Sequence, residues 1–340
     1  MDNNTITLNS NSSFAINDNY KLVMLARSTS NEKILEKLAN SNLELVRIEV
    51  AKNENFKKLE KLAKDKSLKV RLEVAKRAKE KVLKLLANDP FYEIRRIVAR
   101  RTKNKELLAK LCRDEDWRVR LEVAWNENKD FFTSLVLAKD KNVFVREGVA
   151  ITTNSKRIIS MLSKDKEEIV RVAVCENPNT PIEIIEKIAL KSAKVAEKAL
   201  QNPKLKASVI LKIWNKNELT KYLSSLHPNT PPEVIEKIYK ENKENFRILK
   251  NIAKHPNTSE KILYELSFSN DVEIRREVAK HKNSNSYILT KLSSDIDTIT
   301  KITAINNLNY KEIEDKGIGI DEKVNKNGNF KTNLQRFFRE

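Results

Sequence analysis

The sequence predicts an all-α solenoid in which about eleven two-helix repeats of 24–28 residues are stacked. Two observations predict it. Pairs of apolar residues three positions apart recur along the chain, a helical spacing that strands would not show. A separate set of arginines also recurs, each followed three and four residues later by an apolar or small pair such as Val50-Ala51 after Arg47. A period in this range indicates stacked units, because one unit cannot bury its apolar face alone.

The second helix of each repeat is predicted from the apolar pairs. Ser134 is the single polar exception among them. The pairs are Leu35/Leu38, Leu59/Leu62, Leu83/Leu86, Leu108/Leu111, Ser134/Leu137, Ile159/Leu162, Ile185/Ile188, Ile210/Ile213, Ile235/Ile238, Leu263/Leu266 and Leu289/Leu292.

The first helix of each repeat is predicted from the arginines, which are Arg47, Arg71, Arg95, Arg120, Arg146, Arg171 and Arg275. Between the two helices, Thr180-Pro181-Ile182-Glu183 and Thr230-Pro231-Pro232-Glu233 predict Thr at the N-cap of the second helix. Prolines at positions 178, 203, 228 and 256 are expected to end the preceding helix.

The combination Val-Arg-x-x-Val-Ala, Asn-Pro-x-Thr-Pro and Leu-x-x-Leu-Ala with Asp resembles the leucine-rich repeat variant family, which is similar to HEAT repeats. The resemblance covers residues 20–310. It implies a right-handed superhelix of two helical layers, one of them partly 3₁₀, and no single activity. The founding type carries an iron–sulfur cluster. The two cysteines, Cys112 and Cys175, are too few to hold one, so no cofactor is expected.

The domain prediction has three parts. Residues 1–18 are rich in Asn and Ser and predict a disordered tail. Residues 19–310 form the repeat array. Residues 311–340 predict a flexible tail ending in a short amphipathic helix with Leu334, Phe337 and Phe338, which would cover the last repeat or, alternatively, dock on a partner. With no leader and no spanning segment recognised, a cytoplasmic location and no membrane partner are expected.

An Asp stands six residues before five of the arginines, which predicts salt bridges that tie one repeat to the next. We interpret this column as structural and expect about 0.2–1 kcal/mol from each exposed pair. Its members are Asp65, Arg71, Asp89, Arg95, Asp114, Arg120, Asp140, Arg146, Asp165 and Arg171.

Another column lies six residues after the arginine position and contains the three histidines, His227, His255 and His281. A metal site is not expected, because equivalent residues of stacked helices are about 8–10 Å apart and zinc binds imidazole nitrogen at about 2.0–2.1 Å. Asn fills the same column at positions 53, 126, 177, 202 and 307. The column is therefore predicted to cap helix ends.

In two adjacent repeats that column becomes Arg77 and Arg101. Residues 45–113 hold 22 basic and 9 acidic residues, whereas residues 114–190 hold 12 and 14, and codon bias does not easily explain such a contrast within one chain. The corners of stacked repeats share one edge, so these residues predict a basic edge. Such an edge suits a phosphate backbone or an acidic protein tail. The alternative is a solvated edge that binds no ligand. The basic edge consists of Lys52, Lys76, Arg77, Lys79, Lys81, Arg100, Arg101, Lys103 and Lys105.

Three hypotheses on function follow. A non-catalytic scaffold that binds a protein partner comes first, and sequence-independent nucleic-acid binding through the basic edge is the alternative. The third is a HEAT-like DNA glycosylase using Trp117, Trp125 and Asp116, a fit that rests on fold analogy. Catalytic residues are not assigned, since no phosphate-binding Gly loop, His-Glu-x-x-His or nucleophile elbow is present.

Overall fold

The computed structural model describes residues 10–315, and the side chains of residues 18–308. This part of the chain consists of 23 α-helices and has no strand. Counting from the N terminus, the helices alternate between a first and a second layer, giving eleven pairs and one final helix. The predicted all-α repeat fold is therefore confirmed. All of these helices are α-helical, including those of the layer for which partly 3₁₀ structure was implied.

The chain divides into two compact bodies, an N-terminal body of Met1–Ala199 and a C-terminal body of Leu200–Glu340. The first layer of the N-terminal body contains α1 (Ser10–Ser28), α3 (Glu44–Lys52), α5 (Leu68–Arg77), α7 (Tyr92–Arg101), α9 (Trp117–Trp125), α11 (Val143–Thr152), α13 (Glu168–Glu176) and α15 (Ala193–Ala199). Its second layer contains α2 (Glu32–Leu38), α4 (Leu59–Leu62), α6 (Glu80–Leu86), α8 (Lys105–Leu111), α10 (Phe131–Leu137), α12 (Lys156–Leu162) and α14 (Ile182–Ala189).

The C-terminal body repeats the same alternation. Its first-layer helices are α17 (Glu218–Leu226), α19 (Phe246–Lys254), α21 (Val272–Lys280) and α23 (Thr298–Asp315). Its second-layer helices are α16 (Ala207–Ile213), α18 (Pro232–Glu241), α20 (Glu260–Leu266) and α22 (Ser286–Leu292).

The core of each body runs between its two layers. Val74 and Ala75 on α5 are fully buried, as are Val98 and Ala99 at the same positions of α7. The small Ala lets successive first-layer helices approach closely, and they pack on each other in order from α1 to α15. Ser134, the polar exception in the second layer, is buried, and its hydroxyl donates to the Asp130 carbonyl at 2.9 Å. That bond satisfies the polar group inside the core.

The corners between helices differ from the prediction in one respect. Pro181 and Pro231, rather than the preceding Thr, occupy the N-cap positions of α14 and α18. The Thr180 hydroxyl instead donates to the Val174 carbonyl at 2.6 Å, and Thr230 donates to Ser224 in the same way. These threonines therefore cap the end of the first helix, where carbonyl groups lack helical partners. The helices α13, α17 and α19 each end two residues before a Pro, as expected.

The predicted ends of the array fall inside helices. Helix α1 begins at Ser10, within the segment expected to be disordered, because adding residues to an existing helix costs far less than nucleating one. Helix α23 continues to Asp315, past the predicted boundary at 310. Residues 1–9 and 316–340, including Leu334, Phe337 and Phe338, lie outside the described residues.

Candidate functional site

The first-layer arginines of the N-terminal body form what we call the Arg–Asp ladder. Its pairs are Arg47–Asp65, Arg71–Asp89, Arg95–Asp114, Arg120–Asp140 and Arg146–Asp165, with Nε–Oδ2 distances of 2.6–2.7 Å. In each pair the Arg also donates from Nη2 to the second carboxylate oxygen. The carboxylate lies 18–20 residues after its Arg, in the next repeat. The Asp six residues before the Arg contributes its backbone carbonyl instead, as Asp65 does to Arg71 Nη1 at 2.7 Å.

The Arg–Asp ladder is more deeply buried than the sequence suggested. The side chains of Arg71 and Asp89 are 9% and 4% exposed, so this is a desolvated pair that surface estimates do not fit. Burial raises the pKa of Asp65, but hydrogen bonds from Arg47 and from the Ser67 amide outweigh it and hold that pKa below its ordinary value. The Arg and Asp side chains of these pairs therefore link neighbouring repeats.

The column six residues after the arginines links first-layer helices through neutral hydrogen bonds. Asn53 Nδ2 donates to the Ala26 carbonyl at 2.9 Å, and Asn126 Nδ2 donates to Ala99 at 2.8 Å. In the C-terminal body, His255 Nδ1 accepts from the Asn257 amide at 3.1 Å while Nε2 lies 2.8 Å from the His227 carbonyl. Both imidazole nitrogens of His255 are thus used by the backbone.

The structure gives Arg77 and Arg101 the same task as these Asn and His residues. Arg77 Nη1 donates to the Ala51 carbonyl, and Arg101 Nη1 donates to Ala75. Burial lowers the pKa of Arg77. Both guanidinium groups are half-buried and act as longer versions of the capping Asn. These contacts give Arg77 and Arg101 a structural role. They weaken the hypothesis that the two arginines replace Asn in this column in order to bind a ligand.

Four other members of the basic edge are held in ion pairs. The pairs are Lys52–Glu49 at 3.0 Å, Lys76–Glu73 at 2.7 Å, Lys81–Glu60 at 3.3 Å and Arg100–Glu122 with Nε–Oε2 at 3.0 Å. Lys79, Lys103 and Lys105 are exposed and have no ion pair with any described residue. Of the nine cations of the basic edge, four are therefore in ion pairs, two bind backbone carbonyl groups, and three have neither kind of partner among the described residues.

The first layer carries a different feature, which we call the aromatic face: Tyr92, Trp117, Leu121, Trp125 and Phe144. The rings of Trp117 and Phe144 are 5.8 Å apart between centroids. The Arg118 guanidinium lies 4.5 Å from the Tyr92 ring centroid and 5.7 Å from that of Trp117. Trp125 and Phe144 are each 47% exposed, an unusual state for such large apolar groups. The aromatic face therefore spans three consecutive helices, α7, α9 and α11.

Helical spacing places the aromatic face on the side of α9 opposite its core. Trp117, Leu121 and Trp125 are separated by four residues each and fall on one face, whereas Val119 and Val123 are fully buried. A Cβ added at Gly148 of α11 would meet Leu121 Cδ1 at 3.1 Å and Trp125 Nε1 at 3.4 Å. Gly at this helix-interior position allows Leu121 and Trp125 to lie flat against α11, at a cost of about 0.5–1 kcal/mol in helix stability relative to Ala.

The charges around the aromatic face are of opposite sign on its two sides. On α7, Arg96 and Arg100 share the single carboxylate of Glu122. On α11, Glu147 has no ion pair with any described residue, and burial together with the nearby Glu176 raises its pKa. One side therefore has two guanidinium groups that share one carboxylate, and the other has a carboxylate without an ion pair among the described residues.

The N-terminal body has further side chains capable of acid–base or nucleophilic chemistry, among them Asp116, Lys129, Cys112 and Cys175. Asp116 is the N-cap of α9, where its carboxylate accepts from the Arg118 amide at 2.8 Å. Lys129 donates to the Asn126 carbonyl and the Thr152 hydroxyl, at 3.2 and 3.1 Å, and burial lowers its pKa to about 8. Cys112 and Cys175 are free thiols, and burial raises the pKa of Cys175 to about 12. Both tryptophans and Asp116 thus have places in the packing and capping of α9.

Sequence analysis grouped Trp117 and Trp125 with Asp116 but did not connect them with Tyr92, Leu121 and Phe144. The signal was present, because the positions three residues before and one and five residues after each ladder Arg form the solvent side of the first layer. In those columns, large apolar side chains occur at Tyr92, Trp117, Leu121 and Trp125.

No helix of the described residues is long and apolar enough to cross a membrane.

These features define an all-α repeat protein. Neither a family model nor a curated protein matches the chain. A solved structure described as a leucine-rich repeat variant with a novel repetitive structural motif is similar over 74% of this chain and 85% of its own, at 18% identity and a TM-score of 0.38. A crystal structure of an engineered protein is similar over 89% of this chain and 97% of its own, at 15% identity and a TM-score of 0.26.

Proposed function

We propose that this protein is a non-catalytic interaction protein that binds a protein partner through the aromatic face. The observation that carries the proposal is the exposure of Trp125 and Phe144, beside the partly buried Tyr92 and Trp117, on one side of three adjacent helices. Trp, Tyr and Arg are the residues that most often dominate binding energy at protein interfaces. The repeat scaffold supports them rigidly, since each helix is held to the next by the Arg–Asp ladder.

The charges indicate what kind of partner fits. A segment lying across α7, α9 and α11 would place an acidic residue against Arg96 and Arg100 and a basic residue against Glu147, with apolar side chains on Trp117 and Trp125 between them. Complementary charges set orientation and reject wrong partners more than they add affinity. The partner is therefore a protein segment with apolar residues flanked by charges of opposite sign.

The test is selection from a phage-displayed random peptide library on the purified full chain. We expect enriched peptides with this pattern, and Trp125→Ala should weaken their binding by at least about tenfold, since hot-spot residues contribute 2 kcal/mol or more. Phe132→Ala is the matched control, because Phe132 is an exposed aromatic residue on α10, outside the aromatic face. Peptides that bind the Trp117→Ala and Trp125→Ala proteins as well as wild type, or a selection without enrichment, would refute the proposal.

Nucleic-acid binding through the basic edge is the second candidate. It is favoured by the three unpaired cations, Lys79, Lys103 and Lys105. Three phosphate contacts give a salt slope of about −3, equivalent to roughly a 40-fold loss of affinity between 50 and 200 mM salt. Duplexes of unrelated sequence should bind alike. Reversing these three charges should abolish binding, whereas reversal of Lys139 and Lys141 should not; no binding of a duplex at 50 mM salt would remove this candidate.

A further inference from the structure

The Arg–Asp ladder stops at Arg171, the last of its arginines in the N-terminal body. Arg171 Nη1 donates to the carbonyls of Asp165 and Lys166, at 2.6 and 2.8 Å, as in the other repeats. The remaining donors, which bind a carboxylate in five preceding repeats, have no acceptor among the described residues. Of these, Nε is buried without a hydrogen bond. A buried donor left in that state costs about 1–3 kcal/mol, so it requires an explanation.

Lys191 occupies the backbone position at which the other repeats carry the ladder Asp. The Lys191 amide donates to the Ile188 carbonyl at 3.0 Å, just as the Asp165 amide donates to Leu162 at 3.0 Å and Asp140 to Leu137 at 3.0 Å. It follows Arg171 by 20 residues, the same separation as that between Arg120 and Asp140. The seventh repeat therefore has two cations where every preceding ladder repeat has an ion pair.

The neighbouring carboxylates do not compensate for this change. Both Asp165 oxygens accept from Arg146. Glu168 pairs with Lys194 at 3.9 Å, and Glu167 pairs with Lys166 at 4.0 Å. Lys191 itself is exposed and has no ion pair with any described residue.

We infer that Arg171 and Lys191 form an oxyanion-binding site in the N-terminal body, suited to a phosphate group. The five complete pairs show the geometry that an Arg at this position uses, two donors to two oxygens of one anion, which phosphate reproduces as well as carboxylate does. A carboxylate balances one Arg in those repeats. Here Lys191, at the backbone position of the ladder Asp, adds a second positive charge to that of Arg171, so a phosphate with a charge of about −1.5 to −2 is favoured over a singly charged carboxylate.

The test compares thermal unfolding of the full chain in potassium phosphate, potassium acetate and potassium chloride at equal ionic strength. At a phosphate concentration ten times the Kd, the melting temperature of the wild type should rise by about 3–5 °C relative to chloride. Acetate should have a smaller effect. O-phosphoserine serves as a further probe, since a larger response to it than to inorganic phosphate would indicate that the group is carried by a partner molecule.

Lys191→Asp is the decisive variant, because it restores the missing carboxylate. We expect it to melt at a higher temperature than wild type in chloride and to lose the phosphate response. Lys187→Asp is the matched control on α14, an exposed lysine with the same change in charge at a position outside the Arg–Asp ladder, and it should keep the response. Arg171→Gln should also lose the response.

Three results would overturn the inference. One is a wild type that phosphate does not stabilise beyond chloride, and another is a Lys191→Asp protein that responds as wild type does. An acetate effect equal to that of phosphate would overturn the preference for phosphate. The binding of peptides to the aromatic face is a separate measurement, so failure of one proposal leaves the other in place.

Discussion

The two bodies differ in the polar side chains that join neighbouring repeats. Both bodies join first-layer helices through one column of neutral hydrogen bonds, which Asn53, Asn126 and Asn177 form in the N-terminal body and His227, His255 and His281 form in the C-terminal body. In the N-terminal body five consecutive repeats are joined by buried Arg–Asp pairs as well. Arg275–Asp295, at 2.8 Å, continues the charged arrangement in the C-terminal body. The apolar layers are alike in both. The comparison teaches that the repeat fold depends on the apolar columns, while the polar link between repeats can change its chemistry.

Removal of one ladder carboxylate should have the largest effect. Asp89→Ala leaves the guanidinium of Arg71 buried without its anion and the Phe91 amide without its acceptor. We expect a loss of about 3–5 kcal/mol in the free energy of unfolding, far above the value for an exposed pair. Urea unfolding of the two proteins measures it.

The control for this prediction is an exposed pair in the C-terminal body. Glu236→Ala removes the partner of Lys240, whose Nζ lies 2.7 Å from the Glu236 carboxylate, and should leave stability nearly unchanged. If Asp89→Ala is no more damaging than Glu236→Ala, the buried pairs do not hold the N-terminal body together.

Core truncation should affect the two bodies equally. Leu111 of α8 and Leu266 of α20 hold the same place in their repeats, and both are buried. Leu→Ala at either should cost about 2–5 kcal/mol. Hydrogen exchange should show loosening confined to the mutated repeat and its neighbours, because stacked repeats contact only adjacent ones. A loss several times larger in one body, or loosening that spreads through the whole array, would contradict the shared role of the apolar columns.

The smallest expected effect concerns pH. Burial lowers the pKa of His255 below 6.5, its ordinary value. The unfolded chain therefore binds a proton at His255 more readily than the folded chain does. The contribution of His255 to stability is fully present above about pH 6.5 and is lost as the pH falls below it.

His255→Asn tests this pH dependence with a residue that the chain already uses in the same column. Asn53 links its neighbours through Nδ2 and accepts from the Asn55 amide at 2.9 Å. The variant should unfold like wild type at pH 7.5 and lose less stability at pH 5.5. A variant with the same pH dependence as wild type would show that His255 is not the group responsible.

The sequence by itself determined the repeat fold, because the apolar columns recur with helical spacing and only stacking buries them. Leu35/Leu38 and the later pairs, together with Val50-Ala51 and its counterparts, predicted eleven two-helix repeats in order, to which the structure adds the final helix α23. The sequence also indicated that the Arg and Asp columns interact, since an Asp recurs at a fixed spacing from five of the arginines.

Only the tertiary structure decided which groups meet across repeats. Sequence spacing linked Asp65 to Arg71, whereas the carboxylate of Asp65 binds Arg47 and only its carbonyl reaches Arg71. Likewise, several basic residues that are close in sequence have separate partners in the structure. Arg77 donates to a carbonyl group 26 residues earlier, and Lys81 forms an ion pair with Glu60. The aromatic face exists only where three helices lie side by side. Periodicity fixes which side of a helix a residue occupies, but the partner of a long side chain depends on the distance and direction between neighbouring repeats, which packing alone sets.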